Sequence, residues 1–98
     1  MITETQKDII INTIMPFQPM KIGIFGSMAR GENTKNSDID ILYQLEGAIG
    51  LFNLVRMKEN LEEKLNKKVD LVSEKYIHPK LKPNIMNEVK IIYNNEER

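Results

Sequence analysis

The sequence lacks cysteine, a net charge and any long hydrophobic run, and each absence excludes or disfavours a class of protein. Without cysteine, the chain forms neither disulfides nor thiolate zinc sites. Its 14 basic and 14 acidic residues cancel, which argues against direct nucleic-acid binding because such binding draws on clustered lysine and arginine. The apolar run at residues 9–11 is too short to span a membrane.

The N-terminal residues carry acidic side chains where a targeting signal would carry basic ones. Glu4 and Asp8 stand there without a basic flank or a cleavage site, so this segment does not have the pattern of a signal peptide. The absence of cysteine also fits the reducing cytosol, and we predict a cytoplasmic protein. The chain has 98 residues, of which 41% are hydrophobic, and this predicts one globular domain over residues 1–98.

Helical and extended patterns alternate along the chain. A capping-box pattern at Thr3 and Gln6 predicts the first helix, which the prolines at 16 and 19 end. The predicted strands span residues 21–25, 37–45, 69–72 and 89–93, and the predicted later helices span residues 51–67 and 83–88. This alternation predicts an α/β (α+β) fold with helices on one or both faces of a sheet, and leaves the strand order open.

The long predicted helix carries an apolar stripe and a basic end. The helical spacing of its apolar residues predicts one core-facing stripe with a single polar member, Lys58. The stripe consists of Leu51, Leu54, Val55, Lys58, Leu61 and Leu65. Lys64, Lys67 and Lys68 are predicted to be a solvated helix end near the negative pole of the helix dipole. The last residues, 94–98, are predicted to fray.

A glycine-serine turn follows the first predicted strand. Ser27 is predicted to cap a short helix that runs to Arg30 and ends at Gly31. Free backbone N–H groups at such a turn bind anions, the serine hydroxyl adds a donor, and Gly26 lets a phosphate approach the backbone closely. A Gly-Ser pair alone more often marks only a turn and no anion site. Arg30 has two equally supported roles, neutralising a phosphate or pairing with a carboxylate.

Three aspartates lie in or beside predicted strands. On one strand, Asp38 and Asp40 would project to the same face about 7 Å apart. Two unpaired carboxylates there are costly unless a hard dication binds, and oxygen ligands favour magnesium or manganese over zinc. The simpler interpretation is that Asp38 caps a strand and that Asp40 is merely exposed. Against it, Asp70 interrupts an apolar strand, where a buried carboxylate without a partner is costly.

Together these residues resemble a known family signature. The motif Gly26-Ser27-x-Ala29-Arg30-Gly31 with Ser37-Asp38-x-Asp40 resembles that of the polymerase-β-type nucleotidyltransferases. It is most similar to that of the minimal nucleotidyltransferase (MNT) antitoxins, which pair with HEPN-domain ribonuclease toxins. Asp70 stands where the third carboxylate of that group is expected. The segment 83–93 also resembles the end of these proteins, although less specifically.

The resemblance implies a fold, a reaction and a partner. The fold would be a palm core with a small mixed sheet. Two Mg²⁺ ions would be held by the three catalytic carboxylates, Asp38, Asp40 and Asp70, and ATP would be held through Gly26, Ser27 and Arg30. AMP would pass to a tyrosine of a HEPN toxin and silence its ribonuclease activity.

Two alternatives remain open at this point. The chain could neutralise its toxin by occlusion, with idle carboxylates. It could also transfer a nucleotide to a small molecule or an RNA end, although the zero net charge and the missing acceptor domain disfavour this unless a partner supplies the acceptor site.

Overall fold

The structure, a computed structural model, describes residues 2–95. Its elements follow in the order α1 (Glu4–Ile14), β1 (Pro19–Phe25), α2 (Ser27–Arg30), β2 (Ile39–Leu45), α3 (Leu51–Leu65), β3 (Val69–Ser73), α4 (Lys82–Glu88) and β4 (Lys90–Asn94). Short 3₁₀ turns at Met15–Phe17 and Glu74–Tyr76 follow α1 and β3. Within residues 2–95, no helix is both long and apolar enough to cross a membrane.

The four strands form one mixed sheet in the order β3-β2-β1-β4. β1 pairs antiparallel with β2 and with β4, whereas β2 pairs parallel with β3. A parallel pair needs a crossover connection, and α3 supplies it. The predicted α+β class and the mixed sheet are therefore confirmed, and the strand order, which the sequence left open, comes from the structure.

One face of the sheet carries the hydrophobic core. Residues that oppose each other in register share a face, so Ile24 with Ile41 and Ile39 with Val69 lie on the same side. All four side chains are buried. They pack against the apolar residues of α1 and α3, namely Ile10, Ile14, Met57, Leu61 and Leu65.

The other face carries the acids. Phe25 opposes Asp40 in the β1–β2 register, and Asp40 opposes Asp70 in the β2–β3 register. Because neighbouring residues on a strand alternate between faces, both carboxylates point away from the core formed with α1 and α3.

The first predicted helix begins as expected. The Thr3 hydroxyl accepts a hydrogen bond from the Gln6 N–H at 3.1 Å, and Gln6 Oε1 accepts one from the Thr3 N–H at 2.9 Å. The predicted capping box is therefore confirmed. The helix ends at Ile14, and Pro16 lies in the 3₁₀ turn that follows.

The long helix differs from its prediction in its end and its buried face. It ends at Leu65, because Asn66 adopts a left-handed conformation with φ 53°. Its buried residues are Met57, Leu61 and Leu65, which recur every four positions and so form one stripe. Leu51 and Val55 are 76% and 45% exposed, so the predicted core stripe is wrong at these two residues, whereas Leu54 packs against the core as predicted.

The predicted frayed end is wrong for the part that the structure describes. Asn94 is the last residue of β4, and the Asn95 N–H donates a 2.9 Å hydrogen bond to the Met20 carbonyl. Residues 96–98 lie outside the described residues.

Two leucines of α3 provide a matched test of this packing. Leu61 is fully buried and Leu51 is 76% exposed. We expect Leu61→Ala to lower the free energy of unfolding by about 2–5 kcal/mol, because it removes buried methyl groups and leaves a cavity. Leu51→Ala should change it by less than about 0.5 kcal/mol. Urea denaturation followed by circular dichroism measures both, and equal losses would contradict the packing described.

Candidate active site

The pairing of β2 with β3 brings two of the predicted acids side by side. Asp40 and Asp70 are register partners in this parallel pair, and adjacent strands lie about 4.8 Å apart. Both therefore stand on the same face of the sheet at neighbouring positions. The pairing joins carboxylates that are thirty positions apart in the printed sequence.

The third predicted acid, Asp38, lies in the loop just before β2. The predicted strand at 37–45 is wrong at its start, since pairing begins with Ile39, whose N–H donates to the Lys68 carbonyl at 3.0 Å. Ser37 belongs instead to a turn, in which its hydroxyl accepts from the Thr34 N–H at 2.7 Å. Asp38 is exposed, and its charge still acts on Asp40.

The charges around Asp40 oppose its ionisation. Partial burial raises the pKa of its carboxyl, and the charges of Asp70, Asp38 and Glu88 raise it further, in that order, whereas Arg30 lowers it. The charges of three other carboxylates therefore act on Asp40, and one arginine offsets them in part. Such an imbalance makes the site receptive to cations.

Asp70 does not lie where its apolar strand suggested. The expectation of a buried carboxylate is wrong, because Asp70 is exposed. The reason is its position: β3 is an edge strand, and Asp70 points away from the face that the core covers. The argument from a costly buried charge therefore does not apply, and the case for Asp70 is its register with Asp40.

The donor chemistry suits a hard dication, although the cluster is not closed. Among residues 2–95, no three histidine, cysteine or acidic side chains are drawn together tightly enough to hold a metal ion by themselves. The carboxylates of Asp40 and Asp70, with Asp38 beside them, offer oxygen ligands and an excess of negative charge, which are the properties that Mg²⁺ favours. The residues present therefore fit magnesium.

The glycine-serine turn lies directly against Asp40. Gly26 precedes α2 as its N-terminal cap with φ 74° and ψ −153°, a conformation that is essentially restricted to glycine. A Cβ atom at this position would overlap the Asp40 Oδ2 atom. The prediction that Ser27 is the cap is wrong, because Ser27 is the first helical residue, whereas Gly31 ends the helix as predicted.

Arg30 pairs with two glutamates. Its Nε atom lies 2.7 Å from Glu32 Oε1 and its Nη1 atom lies 2.9 Å from Glu88 Oε2. These carboxylates, Glu32 foremost, raise the pKa of Arg30. Of its two predicted roles, the structure contains the carboxylate pairing, with Glu32 and Glu88 as the partners.

Glu88 is a site residue that the sequence analysis did not identify. It is the last residue of α4, and its Oε1 atom accepts a 2.9 Å hydrogen bond from the Gly26 N–H. The two residues are 62 positions apart, and no local pattern marks this glutamate among the others. Sequence spacing alone had no signal for it.

Lys67 is a second residue near the site whose contacts the sequence did not predict. Its Nζ atom donates to the backbone carbonyls of Lys35 at 2.9 Å and Ser37 at 3.4 Å. The prediction of a merely solvated lysine is wrong for this position, because Lys67 lies beyond the end of α3 and reaches the loop before Asp38. It holds in place the segment that carries this acid.

The three aspartates lie away from the cavity at the far end of β2. A cavity of about 440 Å³ is found at the other end of β2, where its lining includes Tyr43, Leu45, Ser73 and Tyr76. None of the three aspartates lines it. Asp38, together with Ser37 and Lys67, lines a different cavity of about 330 Å³ at the start of β2.

Comparison with known proteins identifies the class to which this fold and site belong. Residues 8–98 match the model of the family described as "Polymerase beta, Nucleotidyltransferase". The chain therefore belongs to the polymerase β nucleotidyltransferase family.

Two relatives carry a more specific name. The chain is 44% identical over 79 residues to a Methanocaldococcus jannaschii protein provisionally named protein adenylyltransferase MJ0435, an alignment covering 81% of this chain and 85% of that protein. It is 36% identical over 73 residues to protein adenylyltransferase MntA of Thermococcus cleftensis, covering 74% of each.

Two solved structures share the fold. One is a toxin–antitoxin crystal structure with AMP-PNP, with a TM-score of 0.82 at 22% identity, covering 93% of this chain and 75% of that chain. The other is the tri-AMPylated Shewanella oneidensis HEPN toxin in complex with MNT antitoxin. Its TM-score is 0.77 at 19% identity, and the match covers 96% of this chain and 74% of that chain. At these identities the likeness is one of fold.

The strained turn at Gly26 can be tested by adding one methyl group. We expect Gly26→Ala to destabilise the protein by about 1–3 kcal/mol, because the backbone conformation disfavours a side chain. The added methyl group would also meet the Asp40 carboxylate. Gly47→Ala is the matched control, since nothing lies within 4 Å of a Cβ there. Thermal unfolding measures both variants, and equal midpoints would contradict the turn geometry.

The crowding of Asp40 predicts a pH-dependent gain in stability on its neutralisation. Since the pKa of Asp40 is raised in the folded state, stability is lost as pH rises through that pKa and the full penalty is present at neutral pH. We expect Asp40→Asn to raise Tm by about 1–4 °C at pH 7. The gain should shrink as pH falls through the raised pKa of Asp40 and should be lost below about pH 4, where the aspartate becomes protonated in both states. A gain that is constant across a calorimetric pH series would contradict the electrostatic cause.

Proposed function

We propose that this protein is an MNT-type antitoxin, which transfers AMP from ATP to a tyrosine hydroxyl of a HEPN-domain ribonuclease toxin and so neutralises it. The family supports nucleotidyl transfer, and the names of the relatives support a protein acceptor. The solved complex of an AMPylated HEPN toxin with its MNT antitoxin supports the partner. Both substrates, ATP and the toxin, would be met in the cytoplasm.

The observation that carries the proposal is the contact between turn and acids. Asp40 is the register partner of Asp70, and the Gly26 turn lies against the Asp40 carboxylate. A nucleotide whose phosphates bind at the turn would therefore have its reacting phosphorus near the carboxylates. Nucleotidyl transfer needs this proximity, because holding the reactants in place lowers the barrier.

The triphosphate is assigned to the turn and its arginine. Backbone N–H groups at Gly26 and Ser27, together with the Ser27 hydroxyl, would donate to phosphate oxygens. Ser27 is partly exposed, so a phosphate in solution can reach its hydroxyl. Arg30 would add a positive charge on the exposed side of the turn.

The carboxylates are assigned to the metal ions. Asp38, Asp40 and Asp70 would hold two Mg²⁺ ions, and bound cations would relieve the carboxylate repulsion that, in addition to burial, raises the pKa of Asp40. When bound, the two ions supply Lewis-acid stabilisation to the attacking and leaving oxygens. Asp70, which is exposed on its edge strand, could serve as the third ligand or accept the proton of the acceptor hydroxyl.

The reaction is a displacement at the α-phosphorus of ATP. The tyrosine oxygen forms a new bond to this phosphorus, the bond to the bridging oxygen breaks, and pyrophosphate leaves with that electron pair. The hydroxyl proton passes to a base at the site. A tyrosine is a suitable acceptor because its pKa, near 10, lies well below that of an aliphatic alcohol.

The test is the mass of the partner. The co-encoded HEPN protein is incubated with this chain, Mg²⁺ and ATP, and its intact mass is measured. We expect a gain of one or more AMP units. In Asp38→Ala/Asp40→Ala the rate should fall by at least about 100-fold, because outer-shell changes at metal sites already cost 10–100-fold. Asp8→Ala, on the exposed surface of α1, is the matched aspartate control.

Other results point elsewhere. Retained transfer by a folded Asp38→Ala/Asp40→Ala protein would contradict the assigned metal ligands. No mass gain, with the partner bound and still inhibited, would indicate neutralisation by occlusion. Labelled nucleotide that appears on RNA or on a small molecule, and not on the protein, would indicate another acceptor class.

A further inference from the structure

The glutamate that ends α4 occupies the donors assigned to the nucleotide. Glu88 Oε1 accepts from the Gly26 N–H at 2.9 Å, and Glu88 Oε2 lies 2.9 Å from Arg30 Nη1. One carboxylate therefore joins the backbone of the turn to the arginine of the short helix. An incoming phosphate would need these same two donors.

A carboxylate and a phosphate cannot share these donors. The N–H of Gly26 carries one proton, and a second anionic oxygen directed at it would be repelled by the first. We propose that Glu88 is an internal competitor of the nucleotide: its carboxylate must leave Gly26 and Arg30 before a phosphate binds there, and Glu88 therefore sets the nucleotide affinity. This inference rests on the proposed function, because it takes the turn to be the phosphate site.

The surrounding charges favour this interpretation over a purely structural one. Glu88 acts electrostatically on Asp40, together with Asp38 and Asp70. It therefore adds a negative charge where an anionic nucleotide has to enter. A residue present only to fasten α4 to the sheet could be neutral, whereas a competitor for phosphate binding sites is best made of an anion.

The structure also allows the carboxylate to leave. α4 contains no buried residue, so few apolar contacts hold it, and segments of this kind move at low cost. The ion pair is solvated, with the Arg30 and Glu88 side chains 46% and 29% exposed. Solvated pairs contribute little to stability. Release of Glu88 thus requires neither unfolding nor loss of core packing.

Calorimetric titration of Mg²⁺ and AMP-PNP into the whole chain tests the proposal. Glu88→Gln keeps the shape of the side chain and removes its charge, so the competing anion is lost. We expect the affinity for AMP-PNP to increase by about 3- to 30-fold, since apparent affinity rises with the fraction of binding-competent molecules. An equal or weaker affinity in folded Glu88→Gln would overturn the proposal.

Glu62→Gln is the matched control. Glu62 also accepts a 2.9 Å hydrogen bond from a backbone N–H, that of Val69, through a carboxylate oxygen. It does not contact Gly26 or Arg30, so this variant should bind AMP-PNP within about 2-fold of the wild type. A similar increase in both glutamine variants would show that net charge, and not the position of Glu88, controls affinity.

The two hypotheses fail in different ways. Binding by the wild type that Asp38→Ala/Asp40→Ala abolishes, without tighter binding by Glu88→Gln, overturns the competitor role and leaves the proposed function standing. No binding by any variant, together with no AMP transfer to the partner, overturns the proposed function and the competitor role with it.

A second measurement uses the wild type alone and does not depend on the variant folding. ¹³C labelling of glutamate side chains allows the Glu88 carboxyl signal to be followed by NMR while Mg²⁺ and AMP-PNP are added, alongside the Gly26 amide signal. We expect both signals to shift together with the same saturation curve. A Gly26 shift at saturation with an unchanged Glu88 carboxyl would overturn the proposal.

Discussion

Repulsion among carboxylates is the interaction on which this site depends. The β2–β3 pairing holds Asp40 beside Asp70, and partial burial, together with repulsion from Asp70, raises the pKa of Asp40. Arg30 offsets only part of this charge because it is paired with Glu32 and Glu88. A fold that keeps such a cluster with only partial internal neutralisation is suited to receive cations from solution, as the metal-dependent nucleotidyl transfer that we propose requires.

The opposite face of the sheet provides the stability that this crowding requires. Ile24, Ile39 and Ile41 are buried against the apolar residues of α1 and α3. Because strand residues alternate between faces, Asp40, the charged residue of β2, is flanked by Ile39 and Ile41, which are anchored in the core. The acids are thereby held at defined positions, and small changes on their own face need not disturb the packing beneath.

Most elements could be predicted from local patterns, and the errors occur where position in the sheet matters. The capping box at Thr3 and the end of α2 at Gly31 depend on neighbouring residues, so the sequence was sufficient. The exposure of Asp70 depends on β3 being an edge strand. The buried stripe of α3 depends on where that helix meets α1 and the sheet. Helical spacing alone extended the predicted stripe to Leu51 and Val55, which are exposed.

The sequence by itself determined the family, the alternation of helices and strands, and the candidate turn and acids, because their signals lie within short segments such as residues 26–40. Only the tertiary structure decided that Asp40 and Asp70 are register partners and that Glu88 lies on the turn at Gly26, 62 positions away. The physical reason is that strand register and long-range hydrogen bonds arise from how the whole chain packs. A local pattern specifies which residues form an element, and the packing of that element against the others specifies what each side chain meets.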